Sequence, residues 1–237
     1  IAVPSTLQKP ASDADKPIST QEAFGRILFD IAARDDDFAR RIVTTSPDVT
    51  VSTNLGGWVN RRGIFDRRRR EDIFREEKVV SAQRWAMHPD GQHIELGIAE
   101  NNLFLTLAAL GLSSSLFGER LLPIGTLYDP FVSRGLDALN YACYQDARFM
   151  LIGTPSGITL APEGGAHQSI GTPLIGMTQD GLSAFEPAFV DELAEIMQWG
   201  FGHMQADDGG SVYLRLTTRG LVQPDRQLTP TLRRQII

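Results

Sequence analysis

The chain has 237 residues, 42% hydrophobic and 22% charged, which fits a folded chain with room for a sizeable core and excludes wholesale disorder. A formal net charge of −6 argues against bulk binding to nucleic acid or anionic membranes, and no apolar run reaches the roughly eighteen residues a membrane helix needs. The one cysteine, Cys143, leaves no internal disulfide and suits a reducing, cytoplasmic setting; no signal-peptide pattern opens the chain, which begins with Ile1 and reads as a piece of something longer.

Residues 1–18 hold three prolines without apolar periodicity and read as a linker or arm. Ser19 with Glu22 three residues on forms a capping-box pattern, and positions 23, 24, 27, 28 and 31 give the helix that follows one apolar face. RIVTTS (41–46) is a predicted strand, and a Gly/Arg-rich excursion runs from there towards residue 90. HIELG (93–97) leads into a helix through NNLFLTLAALG. RLLPIGTLY (120–128) is a strand and FVSRGLDALNYACYQ (131–145) a helix; RFMLIGT (148–154) is a strand ending in the long loop PSGITLAPEGGAHQSIG (155–171). A helix over PAFVDELAEIMQWGFGHM (187–204) precedes a last strand, SVYLRLTT (211–218). This alternation predicts an α/β fold, a doubly wound, mostly parallel sheet with helices on both faces. Ligands in such folds sit at the carboxyl ends of the strands. The polar groups that interrupt the apolar pattern fall at those ends: Asp48, Glu100, Tyr128 and the 156–171 loop.

Glu100 sits just inside the helix after HIELG. A first-turn acid facing the helix dipole has a purely structural explanation. The functional one is a carboxyl in an apolar pocket, where desolvation raises its pKa and lets it share a proton. The loop LAPEGGAHQSIGTP carries Glu163, the adjacent glycines Gly164 and Gly165, and His167, and is too rich in Gly and Pro to be mere packing. Six arginines fall within residues 61–70, but Glu71, Asp72, Glu76 and Glu77 follow; with Phe65 and Phe74 as the aromatics available for base stacking, a solvated or interface loop is expected rather than a nucleic-acid surface. There is no P-loop, no Gly-x-Gly-x-x-Gly after a strand and no Gly-x-Ser-x-Gly elbow. His88, His93, His167 and His203 are scattered, so no protein-built metal site is expected.

In order along residues 19–223, SPDVTVSTNL, GIAENN, YDPFVSR, GGAHQS and VYLRLTTRGL resemble the pyrimidine-binding, central domain of transketolase-like thiamine-diphosphate enzymes. APEGGAHQS is most similar to the loop of the homodimeric decarboxylating component of the bacterial pyruvate dehydrogenase complex, because Glu163, Gly164 and His167 match its Glu-Gly-x-x-His pattern. The resemblance implies that Glu100 hydrogen-bonds the cofactor's aminopyrimidine and drives its activation to the ylid, while Glu95 is structural. It implies that Tyr128 and Phe131 wall the pyrimidine, that Asp48 and Val49 lie near the thiazolium, and that His167, with Glu163, faces the 2-oxo acid substrate. Arg134 then pairs with a nearby carboxylate.

The family's Gly-Asp-Gly motif for the diphosphate and Mg²⁺ is missing, and residues 224–237 are too few for its third domain, so they read as a linker towards one. The resemblance therefore implies a fragment, inactive alone. Its implied partners are a second copy in a homodimer, a diphosphate-binding domain in the same parent chain or a partner subunit, and a dihydrolipoyl acyltransferase core. A transketolase or deoxyxylulose-phosphate synthase relative is the enzyme alternative, and a non-catalytic interaction module using the arginine-rich loop is the alternative of another class.

Overall fold

The computed structural model describes residues 1–7, 16–71, 76–81 and 83–237. Residues 8–15 of the expected arm, and Asp72 and Phe74 of the arginine-rich stretch, lie outside that set. Among the described residues one sheet has eight strands: β1 (Ile42–Ser46), β2 (Ile64–Phe65), β3 (Met87–His88), β4 (His93–Glu95), β5 (Leu122–Leu127), β6 (Met150–Gly153), β7 (Leu182–Phe185) and β8 (Ser211–Arg215). Their order is β3-β2-β4-β1-β5-β6-β8-β7, and every pairing is parallel. The chain leaves β1 towards β2 on one side and crosses back after β4 to β5 on the other. The ends of β1, β4 and β5 therefore flank the switch point where parallel sheets open a crevice.

Side chains alternate between two cores, as strand periodicity requires. Ile124, Met150, Ile152, Val212 and Leu214 face one, beneath the helices Thr20–Ala32 and Val190–His203. Leu127, Leu151 and Tyr213 face the other, beneath Glu100–Gly111, Leu136–Tyr144 and Thr172–Thr178. Strands covered on both faces read as continuous apolar runs, and β5, β6 and β8 are buried throughout. The first helix keeps its expected face: Ala23, Phe24, Ile27, Leu28 and Ile31 are all buried. Half of its capping box forms. Ser19 Oγ accepts from Glu22 N–H at 3.1 Å, while the Glu22 carboxylate turns to Arg26 instead of returning to the cap.

Three local expectations are corrected. The helix expected over 131–145 starts at Leu136, and residues Asp129–Gly135 wind as 3-10 turns. Gly135 stands at the junction, where a Cβ would come within 2.3 Å of Phe104 Cδ2, so the backbone lies against the neighbouring helix with no room for a side chain. The arginine-rich excursion contributes the two-residue strands β2 and β3. The stretch after residue 171 forms the helix Thr172–Thr178 and the edge strand β7.

At the ends, Leu7 is buried, Gln198 donates to the Pro4 and Ser5 carbonyls, and Ile18 bridges to Leu221. A short helix, Pro230–Ile236, lies against Val190–His203 and pairs Arg233 with Glu195. Three of the six arginines of 61–70 are engaged locally: Arg61 lies over the Phe29 ring, Arg62 donates to Gln92 and to the Arg34 carbonyl, and Arg70 pairs with Asp66. No helix among the described residues is long and apolar enough to cross a membrane.

Candidate active site

Glu100 is the first residue of its helix, directly beyond the end of β4, and its side chain is 12% exposed. Gly97, at φ 65°, makes the turn between strand and helix. The surroundings differ from the purely apolar pocket expected from sequence. Arg134 Nη1 lies 2.6 Å from Glu100 Oε1, so the acid is held by a guanidinium. That guanidinium in turn sits over the Phe131 ring, its central carbon 3.8 Å from the centroid, where the ring face attracts the cation.

From Phe131 the contacts continue. Tyr128, just past β5, and Phe131, one 3-10 turn later, have ring centroids 6.1 Å apart. The His167 ring meets both, at 5.7 Å from Tyr128 and 5.6 Å from Phe131. His167 Nε2 faces Glu163 Oε2 at 3.8 Å, and His167 Nδ1 is buried without a hydrogen-bond partner. Glu100, Tyr128, Phe131, Glu163 and His167, distant in sequence, thus form one connected constellation, with Arg134 as the link between acid and aromatics.

Asp48 and Val49 belong to a second cluster, built by Glu95. One Glu95 oxygen accepts from the backbone N–H of Asp48 (2.9 Å), Leu96 (3.1 Å) and Gly97 (3.4 Å), and the other from Thr50 Oγ1 at 2.6 Å. Asp48 has φ 63°, so the turn after β1 is a left-handed one that this carboxylate pins. Beneath it His93, fully buried, bonds Thr44 through Nδ1 (2.9 Å) and Thr50 through Nε2 (3.1 Å). Burial pushes the Glu95 carboxyl upward, but the neighbouring His93 and hydrogen bonds from Thr50 and the Asp48 N–H outweigh it and bring the pKa down to about 2. Glu95 is a structural anion that shapes the turn carrying Asp48 and Val49.

One group of residues next to the site escaped the sequence reading: Asp129, Thr172, Tyr213 and Arg215, joined by hydrogen bonds behind Tyr128. The signal was present. Arg215 stands inside the apolar run VYLRL, and a charge within a buried strand requires a partner.

An all-parallel α/β domain with an acid, an aromatic pair and a histidine gathered at its strand ends has transketolase-like architecture. Its fold is shared with transketolase from Leishmania mexicana (TM-score 0.70, 16% identity, 95% of this chain and 29% of that one). Transketolase from Pichia stipitis gives TM-score 0.71 at 18% identity, over 95% of this chain and 30% of that one. The family described as "Pyruvate dehydrogenase E1 component middle domain" matches residues 6–220, and the chain belongs to it. The pyruvate dehydrogenase E1 component of Corynebacterium glutamicum is 27% identical over 179 residues, 75% of this chain and 19% of that protein. That of Pseudomonas aeruginosa is 26% identical over 216 residues, 89% of this chain and 24% of that protein. The chain therefore spans a fifth to a quarter of the length of these relatives.

Proposed function

We propose that this chain is the pyrimidine-binding part of a thiamine-diphosphate-dependent pyruvate dehydrogenase, its decarboxylating component. The observation that carries the proposal is the connected set Glu100–Arg134–Phe131–Tyr128–His167–Glu163 at the switch point of a parallel sheet. These residues fit the cofactor's pyrimidine end: flat aromatic area, a nearly buried carboxylate, and an imidazole nitrogen that is buried without a partner. When bound, thiamine diphosphate supplies the carbon nucleophile and electron sink that 2-oxo acid decarboxylation needs. Glu100 would hold a pyrimidine nitrogen of the cofactor through a shared proton, with Arg134 paired to the acid beside it. Tyr128 and Phe131 present the ring with an apolar wall. His167, backed by Glu163, steadies or protonates the substrate oxygen. Asp48 and Val49, on the turn that Glu95 holds, would lie near the cofactor's thiazolium.

Mg²⁺, the diphosphate and the acyl acceptor belong to other parts: a diphosphate-binding domain of a homodimer, and a dihydrolipoyl acyltransferase core in a cytoplasmic complex. The distribution of apolar surface supports a partner on one face. The helices over the second core carry outward-facing Leu105 (54% exposed), Tyr141 (62%), Tyr144 (86%), Leu174 (62%) and Met177 (79%). Apolar side chains on the outside of a covering layer mark contact with another surface.

The test is made on the full-length protein. Thiamine-dependent decarboxylation of pyruvate is expected, and Glu100→Gln is expected to lower kcat by about 100-fold or more with folding intact. Ketol transfer between sugar phosphates without decarboxylation, or indifference to Glu100→Gln, would overturn the proposal.

A further inference from the structure

Asp129 and Arg215 form a buried ion pair beside the candidate site. Asp129 is fully buried and Arg215 is 5% exposed, so each charge survives there only if its hydrogen-bonding capacity is used. It is used. Nε and Nη2 of Arg215 each lie 3.2 Å from Asp129 Oδ2, and Thr172 Oγ1 donates to the same oxygen at 2.6 Å. Tyr213 Oη donates to Asp129 Oδ1, and Nη1 of Arg215 donates to Glu186. Burial and the Asp129 charge push the Tyr213 hydroxyl far above its usual range, which keeps it protonated as a donor. Space for the acid comes from Gly153 on β6, where a Cβ would stand 2.2 Å from Asp129 Oδ1.

The pair reaches both halves of the constellation. Asp129 directly follows Tyr128 and opens the turn that carries Phe131. On the other side, Nη2 of Arg215 donates to the Ser169 carbonyl at 3.0 Å, two residues beyond His167. Ser169 is itself cross-linked to Gly157, its N–H donating to the Gly157 carbonyl and its hydroxyl accepting from the Gly157 N–H, each at 2.9 Å. Residues 162–166 are exposed, so the segment carrying His167 has little packing of its own. Its placement against Tyr128 comes through Ser169 and Thr172.

We infer that Asp129 and Arg215 are positioning residues: together they fix His167 against Tyr128 and Phe131 by tying the Ser169 carbonyl and the Thr172 hydroxyl to the residue after Tyr128. The importance of this for turnover rests on the role proposed for His167. The anchoring itself does not, and the two are separable by experiment.

Hydrogen–deuterium exchange on the full-length protein tests the anchor directly. In Arg215→Met, amide exchange across 157–171 is expected to accelerate about tenfold or more, while β1 and β5 stay within about twofold of the unmodified protein. Arg215→Lys keeps the charge without the fork that spans Asp129, Glu186 and Ser169, and should give an intermediate acceleration. It also serves as the deciding variant if Arg215→Met fails to fold. In thiamine-dependent turnover, Arg215→Lys is expected to lower kcat about tenfold with cofactor affinity within about twofold. That loss should vanish in a His167→Ala background, because two residues acting through one group are not additive. Unchanged exchange in the loop, exchange raised equally over the sheet, or losses that add to those of His167→Ala would each overturn the inference. Faster loop exchange in a protein with no thiamine-dependent turnover would uphold the anchor and overturn only the proposed function. Glu100-dependent turnover with an unmoved loop would do the reverse.

Discussion

Glu95 and Glu100 stand five residues apart in the sequence and do different work because their neighbours differ. Glu95 is surrounded by donors that require its charge: three backbone N–H groups, Thr50 and the buried His93. Glu100 faces a single guanidinium that is half exposed and lies over an aromatic ring. The consequence for Glu95 is a pH dependence with a definite sign. Its folded pKa, about 2, lies below the ordinary 4.5, so on acidification the unfolded chain takes up the proton first and folding loses that contribution. Glu95→Gln is expected to be less stable than the unmodified protein near neutral pH. Chemical denaturation should show that gap narrowing as pH falls from 4.5 towards 2. A gap independent of pH across that window would mean that the charge contributes nothing to the turn.

At the scale of elements, the sequence is most legible where one periodicity runs long enough to be read. The helix Thr20–Ala32 is such a case: five apolar positions and a cap residue point to one face and one start, and both are found. Replacing the cap tests it, since Ser19→Ala removes the acceptor for Glu22 N–H and should cost about 1 kcal/mol in an unfolding titration, with no effect on cofactor binding. The strands β2 and β3 are two residues each, too short for any alternation to register. β7 is an edge strand of four residues in which Ser183 and Ala184 blur the apolar signal. The turn Asp129–Gly135 went unread for another reason. It packs at Gly135 against Phe104, thirty-one positions earlier, and local propensity carries no trace of so remote a neighbour. The site divides in the same way. Glu100, Tyr128, Phe131 and His167 announce themselves by motif, whereas Asp129 and Arg215 become intelligible only when β8 is seen beside β6.

For the molecule as a whole, the two layers of helices are unequal. Those over the first core leave Phe29 as their exposed large apolar side chain, with Arg61 over its ring; those over the second bury one apolar set and expose another. If that surface is where a diphosphate-binding domain docks, a charge introduced there separates assembly from folding. Tyr144 is 86% exposed, so Tyr144→Glu should leave the thermal midpoint of the domain nearly unchanged while weakening dimerisation of the full-length protein in sedimentation velocity. A lower midpoint with assembly intact would show that Tyr144 supports its own helix instead.

All the groups assigned to chemistry lie on segments that leave the same rim of the sheet, while among the described residues the segments at the opposite rim, which lead back into the strands, carry none of them. Work and support are thereby housed at opposite ends of one frame. Loops at the working rim can be rewritten in evolution for another substrate without disturbing the frame, so a chain with 16% of its residues in common with a transketolase still superimposes on it.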